Sequence, residues 1–406
     1  MIKTGPYPMV QLRRLARQAS ISSSPIKNTV QAEYSDGLYP GYSASGQDVW
    51  LMPDQATFNG NGIVVSAVGA RCGKSFLAFG RWGVTANTAV LLPRERVSAR
   101  FLWYILNNEN FWIKGQTAQP YVQLGPSMAL PIPSPSPQQQ VEIAAFLDRE
   151  TAKFDALIEK QEQLIATLRD DRAATITHAV TKGLDPKVDM KESGARWVGE
   201  VPAHWTLAKI KHGFSVVLGK MYQDEMNRPD DVQLPHLKAG SITERGLNLE
   251  GPMMCWFTPS EVRSLDLRKG DILVVEGGAI GRCVVLSEDL GGWGFQKSLN
   301  RVRARGNDSP KFLAYLIEAA TLSGHVSILC GKATIPHFTA EKVAELEWPH
   351  PSIDEQISIV EFLDERCSKI DSLIDKSAEM IETLREYRSA LITNAVTGQI
   401  DVREAV

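Results

Sequence analysis

Cysteine is scarce in this chain and follows no pattern. The 406 residues contain five cysteines, and these are Cys72, Cys255, Cys283, Cys330 and Cys367. An odd, scattered set without a CxxC pair excludes a disulfide framework and argues against a zinc site, so we expect free, buried thiols. The seven histidines form no HxH or HExxH pattern, and no Ser-His-Asp or Cys-His set is recognisable. We therefore expect neither a metal site nor catalytic residues.

Long hydrophobic runs are missing as well. No apolar stretch approaches the ~20 residues that a membrane-spanning helix needs. The N-terminal segment has no apolar stretch of the signal-peptide type, so we expect a cytoplasmic protein. With 43% hydrophobic and 22% charged residues, the composition is typical of globular proteins. The length suggests two to four domains.

The chain has no large excess of either charge sign, since its net charge is −3. The distribution is uneven, however. Residues 1–132 hold 12 Lys and Arg against 6 Asp and Glu, whereas residues 349–406 hold 6 against 12. A basic beginning and an acidic end predict that these parts face different partners.

Much of the sequence occurs twice. The segment from Pro133 to Thr181 aligns without a gap with the segment from Pro349 to Thr397, at an offset of 216, and about half of the positions are identical. Fainter matches precede them at an offset of 211, where Trp82-Gly83 pairs with Trp293-Gly294 and Tyr104 with Tyr315. The strand-like runs GIVVSAVGARCG and DILVVEGGAIGRC also look equivalent. The predicted order is globular unit, helix, globular unit, helix.

The two repeated segments predict long helices. Apolar residues recur at steps of three, four and seven from Pro137 and Ile353 onward, and Gly183 and Gly398 are the predicted stops. Each helix would span roughly 40 residues, or about 60 Å at ~1.5 Å per residue. A single apolar stripe of this length needs a partner, so we predict an antiparallel coiled coil of the two copies. The predicted interface residues are Leu147, Phe154, Ile158, Ile165, Leu168, Leu363, Ile370, Ile374, Ile381 and Leu384.

The globular units are predicted to be mixed α/β, with short strands between glycine and proline turns. One helix in each is expected over SARFLWYILNNENF and SPKFLAYLIEAATL, both opened by a serine cap. The predicted segments are a first globular domain at 1–135, a central helix at 136–182, a second globular domain at 183–350 and a C-terminal helix at 351–406. This internal two-fold repetition suggests two binding units on a helical spacer. Two such units can read two half-sites of a DNA duplex, as symmetric dimers do. Because the globular units have diverged, the half-sites should differ and the full target should be asymmetric.

The chain resembles the specificity subunit of type I restriction-modification systems. The resemblance lies in RWVGEVPAHW at 196–205, in the helix segments opened by IPSPSPQQQ and WPHPSIDEQ, in the closing AVTKGLD and AVTGQID, and in the PGYSASG and VGARCGK runs. The first unit lacks a counterpart of RWVGEVPAHW, so its N-terminal edge is either shorter or completed by the C-terminus.

This resemblance implies two target-recognition domains that together recognise a bipartite double-stranded DNA sequence. It implies that the chain recruits two methyltransferase subunits, which bind S-adenosylmethionine, and ATP-driven motor-nuclease subunits. It also implies a chain with no catalytic residues and no cofactor of its own.

Candidate DNA-contacting residues are loop cations, hydroxyls and amides, the groups that bind phosphates and base edges. In the first unit they are Arg13, Arg14, Arg17, Ser43, Ser45, Arg71, Lys74, Ser75, Gln119 and Tyr121, and in the second Lys238, Arg245, Arg282, Lys297 and His337. For any single residue, a plain solvated surface position is the alternative.

Three other interpretations remain open from the sequence. A coiled-coil scaffold with protein-binding ends would need no DNA. The segment GARCGKS approaches a phosphate-binding P-loop, but Gly69 and Gly73 are one residue too close and Val68 stands where glycine is required. Acidic positions on the helices are either a docking surface for the methyltransferase or a solubilising face; these are Asp148, Asp155, Glu159, Asp364, Asp371 and Asp375.

Overall fold

A computed structural model of the chain describes residues 5–19, 25–331 and 336–403. They form two compact units, of which the first comprises Met1–Glu162 and Ala378–Val406 and the second Gln163–Ser377. The predicted division into four segments differs from this one because each unit combines a globular part with a portion of both long helices.

The globular part of the first unit is built mainly from short strands. They are β1 (Met9–Gln11), β2 (Ala16–Gln18), β3 (Tyr39–Ser43), β4 (Gly46–Leu51), β5 (Phe58–Asn59), β6 (Gly62–Ser66), β7 (Ser75–Ala78), β8 (Arg81–Val84), β9 (Thr88–Pro93), β10 (Lys114–Gln116), β11 (Pro120–Val122) and β12 (Pro131–Pro133). Its helices are α1 (Ala99–Leu106) and α2 (Leu124–Ser127).

Two four-stranded sheets organise these strands. The first has the order β2-β9-β6-β7 and is antiparallel, and the second has the order β4-β3-β8-β5 with β3 and β8 parallel. Ile63 and Val65 on β6 and Leu91 on β9 are buried in one cluster with Phe101 and Leu102 of α1. The alternating apolar residues of the strands therefore pack on the apolar face of α1.

The second unit repeats this construction. Its strands are β13 (Met190–Glu192), β14 (Glu200–Pro202), β15 (Thr206–Lys209), β16 (Phe214–Leu218), β17 (Val232–Leu237), β18 (Ile242–Thr243), β19 (Gly246–Leu247), β20 (Met253–Phe257), β21 (Ile272–Val275), β22 (Cys283–Val285), β23 (Gly294–Phe295), β24 (Leu299–Ala304) and β25 (Glu347–His350). Its helices are α4 (Ile210–Gly213), α5 (Pro259–Ser264), α6 (Pro310–Leu322), α7 (His325–Cys330) and α8 (Ala340–Glu345).

The sheets of the second unit match those of the first. The order β16-β24-β21-β22 corresponds to β2-β9-β6-β7, and β17 pairs in parallel with β23 as β3 does with β8. The equivalence predicted between GIVVSAVGARCG and DILVVEGGAIGRC is therefore confirmed, because β6 and β21 hold the same place in their sheets. The mixed α/β fold is also as predicted.

Two long helices complete the fold. They are α3 (Pro137–Lys182) and α9 (Ile353–Thr397). Both begin at the predicted residues. Both end before a glycine in the left-handed region, Gly183 at φ 73° and Gly398 at φ 74°, which only glycine adopts at little cost.

Within each unit the two long helices pack against each other and run antiparallel. In the first unit Asp155 of α3 pairs with Arg388 of α9 at 2.8 Å, and in the second unit Arg172 of α3 pairs with Asp371 of α9 at 3.0 Å. At the repeat offset of 216, each pair is the counterpart of the other. All ten side chains predicted at the coiled-coil interface are buried or half-buried.

Each globular helix docks on its long helix through a tyrosine and a carboxylate. The hydroxyl of Tyr104 donates to Asp148 at 2.6 Å, and that of Tyr315 donates to Asp364 at 2.8 Å. Burial, followed by the hydrogen bond to Asp148, raises the pKa of Tyr104 to about 12, so this hydroxyl stays protonated and donating.

These contacts give four of the six acidic positions a role within their own unit. Arg100 also pairs with Asp148 at 2.7 Å, and Lys311 with Asp364 at 2.5 Å. Together with Asp155 and Asp371, these carboxylates bind cations of their own unit. All four therefore take part in the fold, while their side chains stay 41–56% exposed.

The helix α1 is shorter than predicted. Ser98 caps it as expected, accepting a hydrogen bond from the amide of Phe101, but the helix ends at Leu106. Asn107 accepts a hydrogen bond from the Ser75 amide, and Asn108 from the Asn110 amide. Asparagine side chains that bind backbone groups in this way compete with helix continuation.

The N-terminal edge of the first unit packs against the C-terminal segment. Tyr7 and Val10 lie in the same apolar cluster as Ile400 and Val402. In the second unit, Val201 and Trp205 of the RWVGEVPAHW run pack on the end of α3. Of the two alternatives left by the sequence, the structure supports completion of the first unit by the C-terminal segment.

Candidate nucleic-acid interface

Three loops of the first unit meet at one place. They are the β3–β4 turn, the β6–β7 loop at 67–74 and the β10–β11 hairpin. The guanidinium of Arg71 donates to the carbonyl oxygen of Ser45 at 3.4 Å, which joins the first loop to the second. The amide of Gly69 donates to the carbonyl of Pro120 at 2.9 Å, which joins the second to the third. The structure thus brings together the PGYSASG and VGARCGK runs and the hairpin that carries the predicted residues Gln119 and Tyr121.

Most of the predicted side chains of this cluster are accessible. Ser45, Arg71, Lys74 and Gln119 are exposed and Tyr121 is half-buried. We call these five residues, with Lys114, the first loop cluster. Sequence reasoning missed Lys114, which is exposed on β10 and so close to Gly73 that a Cβ there would lie 3.3 Å from its Cε. The neighbouring Gly115 and Pro120 match Gly331 and Pro336 at the repeat offset of 216, and this signal could have pointed to the hairpin.

Two predicted DNA contacts do not fit the structure. Ser43 is 3% exposed and its hydroxyl donates to Asp48 at 2.9 Å. Ser75 is 2% exposed and its hydroxyl donates to the carbonyl of Leu106 at 2.9 Å. Both hydroxyls stabilise the interior, so neither is available to a phosphate.

Three predicted arginines lie away from the loop cluster. Arg13 and Arg14 are in a short 3-10 helix and Arg17 is on β2, all exposed. Their neighbours are β9 and the end of α2, because β2 pairs with β9 and the amide of Arg13 donates to the carbonyl of Met128, the residue after α2. These arginines therefore lie outside the first loop cluster.

The second unit has a corresponding set of loops. Arg282, in the β21–β22 loop, donates to the carbonyl of Ile242 and to the carboxylate of Glu244, both at 3.4 Å. Arg245 follows in the β18–β19 turn, and its side chain is 91% exposed. Lys238 and Lys297 are exposed at the starts of the loops after β17 and β23. Lys238, Arg245, Arg282, Lys297 and His337 are called the second loop cluster.

Lys74 and Arg282 occupy equivalent positions. The carbonyl of Lys74 accepts from the amide of Ser66 at the end of β6, and the carbonyl of Arg282 accepts from the amide of Val275 at the end of β21, both at 2.8 Å. Each unit therefore presents one cation at the same point of the same loop.

His337 corresponds in the same way to Tyr121. It forms a bridge with Gly277, as Tyr121 does with Val68, and the following residues repeat a backbone bond, Phe338 to Glu276 and Val122 to Ala67. His337 is exposed and its Nδ1 lies 4.0 Å from the Glu276 carboxylate. An aromatic or heteroaromatic ring thus stands at this point of both units.

The GARCGKS loop does not form a phosphate cradle. The amides of Gly69, Cys72, Gly73 and Lys74 all donate to carbonyl oxygens of the chain, and that of Ser75 donates to Asn107. A P-loop needs such amides free and pointing at the phosphates. The P-loop interpretation therefore fails on geometry.

A family model matches most of this architecture. The model, described as type I restriction modification DNA specificity domain, matches residues 23–167 and 259–382. The chain belongs to this family. Its two matches fall in the two repeated halves, so each half carries a specificity domain.

Curated relatives of this specificity subunit carry the same family description. The chain is 22% identical over 395 residues to the type I restriction enzyme MjaVIII specificity subunit of Methanocaldococcus jannaschii, covering 91% of this chain and 88% of that one. It is 22% identical over 210 residues to the StySPI specificity subunit of Salmonella potsdam, covering 50% of this chain.

Solved structures share the fold of this specificity subunit. A chain from a structure that addresses complex assembly and conformational transition of a type I R-M system gives a TM-score of 0.65 at 15% identity and covers 98% of this chain and 100% of that chain. The HsdS subunit from Thermoanaerobacter tengcongensis gives a TM-score of 0.51 at 15% identity, with 98% of both chains covered.

Two negative findings concern the described residues alone. Among residues 5–19, 25–331 and 336–403, no three His, Cys, Asp or Glu side chains are grouped so as to hold a metal ion. In the same part of the chain, no helix is long and apolar enough to span a membrane.

Proposed function

We propose that this chain recognises an asymmetric, bipartite sequence in double-stranded DNA, with each specificity domain reading one half. The observation that carries the proposal is the duplicated loop cluster. Lys74 and Arg282 stand at the same point of two loops whose other side chains differ, as would be expected of one scaffold that reads two sequences. Phosphate contacts from these cations would position each domain, and base contacts nearby would specify the sequence.

The proposal extends to the partners of the chain. We expect two methyltransferase subunits to bind it and motor-nuclease subunits to join the complex. S-adenosylmethionine and ATP would then be held by those subunits, and this chain would hold no cofactor and perform no catalysis.

An outer apolar stripe on the long helices supports methyltransferase docking. Leu157 and its counterpart Leu373 are 47% and 49% exposed, and Leu164 and its counterpart Met380 are 43% and 49% exposed. Large apolar side chains repeated at helical spacing and left in solvent are typical of a surface that a partner helix covers. Since the stripe occurs in both copies, it fits two like partners.

The test is to express the chain with its methyltransferase subunits and sequence the methylated positions in genomic DNA. The expected result is one motif made of two separated, unlike parts. Arg71→Ala should weaken or relax the first part only, whereas Arg282→Ala, as a phosphate contact, should weaken binding without relaxing either part. For Lys74→Ala, treated as a phosphate contact, the slope of log affinity against log salt should fall by about 1.

The matched control is Arg149→Ala. Arg149 is an exposed arginine on α3 that pairs with Glu150 at 2.8 Å and lies outside both loop clusters. This variant should leave the motif and the salt slope unchanged. Absence of any sequence preference in the wild-type complex would favour the alternative of a protein-binding scaffold.

A further inference from the structure

The β10–β11 hairpin is a short, firmly anchored ribbon. Lys114–Gln116 pair in antiparallel register with Pro120–Val122, and Thr117–Gln119 connect them. The base of the hairpin is tied to the β6–β7 loop by the bond from Gly69 to Pro120 and by the bond from Val122 to Ala67, both 2.9 Å. Two backbone bonds and the Val68–Tyr121 bridge fix its direction relative to the sheet.

One face of the ribbon is closed by an aromatic ring. Gly115 lies opposite Tyr121, and a Cβ on Gly115 would lie 2.5 Å from Cζ of that ring. Any larger residue would push the ring away, so Tyr121 lies directly on the backbone of β10. Because side chains alternate along a strand, Lys114 and Gln116 share the other face.

The end of the ribbon is mostly polar and open to solvent. Residues 116–119 are all exposed. Within the part of the chain that the structure describes, the carboxamides of Gln116 and Gln119 have no hydrogen-bond partner. A carboxamide offers a donor and an acceptor side by side, which matches N7 and the N6 amino group of adenine in the major groove.

The surroundings of the ribbon are basic. Lys114 is on the ribbon itself, and Arg71 and Lys74 lie in the loop to which it is tied. The major groove admits a two-stranded ribbon, and cations at its base would reach the phosphates at the groove edges.

We infer that the β10–β11 hairpin enters the major groove of the first half-site, where Gln116 and Gln119 recognise adenine. This inference rests on the proposed function and names the residues and the base that give the first domain its specificity. The ribbon geometry, the free carboxamides and the flanking cations are three separate observations that agree.

The experiment measures binding of the complex of the chain with its methyltransferase subunits to a duplex that carries its methylated motif. Each adenine of the first half-site is replaced in turn by 7-deazaadenine, which keeps the base pair but removes the N7 acceptor. At one or two positions the replacement should lower the affinity of the wild-type complex by roughly 5- to 150-fold. Gln116→Ala or Gln119→Ala should bind the modified and unmodified duplexes equally at the corresponding position.

The control variant is Gln138→Ala, since Gln138 bonds to Glu142 at 2.9 Å at the start of α3, outside the hairpin. It should retain the full effect of 7-deazaadenine. The inference is overturned if both hairpin variants keep that effect, or if they lower the affinity for every sequence alike, which would mark a phosphate contact. A wild-type complex without any methylated motif would instead contradict the proposed function.

Discussion

At the residue scale, Asp266 shows how one carboxylate of the second specificity domain pairs with three arginines. Its carboxylate accepts from Arg301 at 3.0 Å and from Arg303 at 3.1 Å, and Arg268 pairs with it as well. Partial burial acts to raise the pKa of Asp266, but the hydrogen bonds from Arg303 and Arg268 outweigh it, so the pKa lies below its ordinary value.

This shift predicts a pH-dependent contribution to stability. A carboxylate whose pKa is lower in the folded state stabilises the fold above its unfolded pKa and loses this contribution as pH falls through the folded pKa. Asp266→Asn should therefore lower the free energy of unfolding by about 1–3 kcal/mol at pH 7. The difference between the variant and the wild type should shrink progressively as pH falls below the ordinary aspartate pKa of about 3.9, as measured by urea unfolding at a series of pH values.

The exposed Asp230 of the same unit supplies the control, because Asp230→Asn should have little effect at either pH. An Asp266→Asn deficit of equal size at pH 7 and at low pH would show that lost packing, and not charge, explains it.

At the element scale, the long helices carry two apolar stripes with different roles. Ile370 is 3% exposed, whereas Leu373, one turn further along α9, lies on the outer stripe. The inner stripe is covered within the chain and therefore contributes to folding. The outer stripe is left for a partner in our proposal.

Ile370→Ala should lower the free energy of unfolding by about 2–5 kcal/mol, because it removes a buried side chain and leaves a cavity. Leu373→Ala should change it by no more than about 0.5 kcal/mol, because its surroundings are solvent. Binding of the methyltransferase, measured by sedimentation or titration calorimetry, should be weakened by Leu373→Ala. Comparable losses of stability in the two variants would contradict the division into two stripes.

At the scale of the whole molecule, charge limits what the chain does alone. The net charge is −3, and residues 349–406 are acidic whereas residues 1–132 are basic. Since phosphate neutralisation dominates DNA affinity, the isolated chain should bind DNA weakly and its affinity should fall steeply with salt. Methyltransferase subunits that close around the duplex would add the missing contacts.

A gel-shift titration of the same duplex, with the chain alone and with its methyltransferase complex, measures how far DNA affinity depends on the methyltransferase subunits. We expect tight binding in the second case only. Equal affinity in both would mean that the chain carries its own complete DNA interface.

The sequence by itself determined the repeat, the mixed fold and the ends of both long helices, because these depend on local chemistry. Apolar residues at helical spacing need a helix, and Gly183 and Gly398 provide the left-handed residue that ends it.

The tertiary structure alone decided which candidate residues meet. Burial removed Ser43 and Ser75 from the DNA-contacting set, and ion pairs within each unit placed Asp148 and Asp364 in the fold. Lys114 joined the first loop cluster only through the hairpin. Such contacts link residues far apart in the chain, and the same serine, aspartate or lysine is compatible with solvent, interior or interface until its neighbours are known.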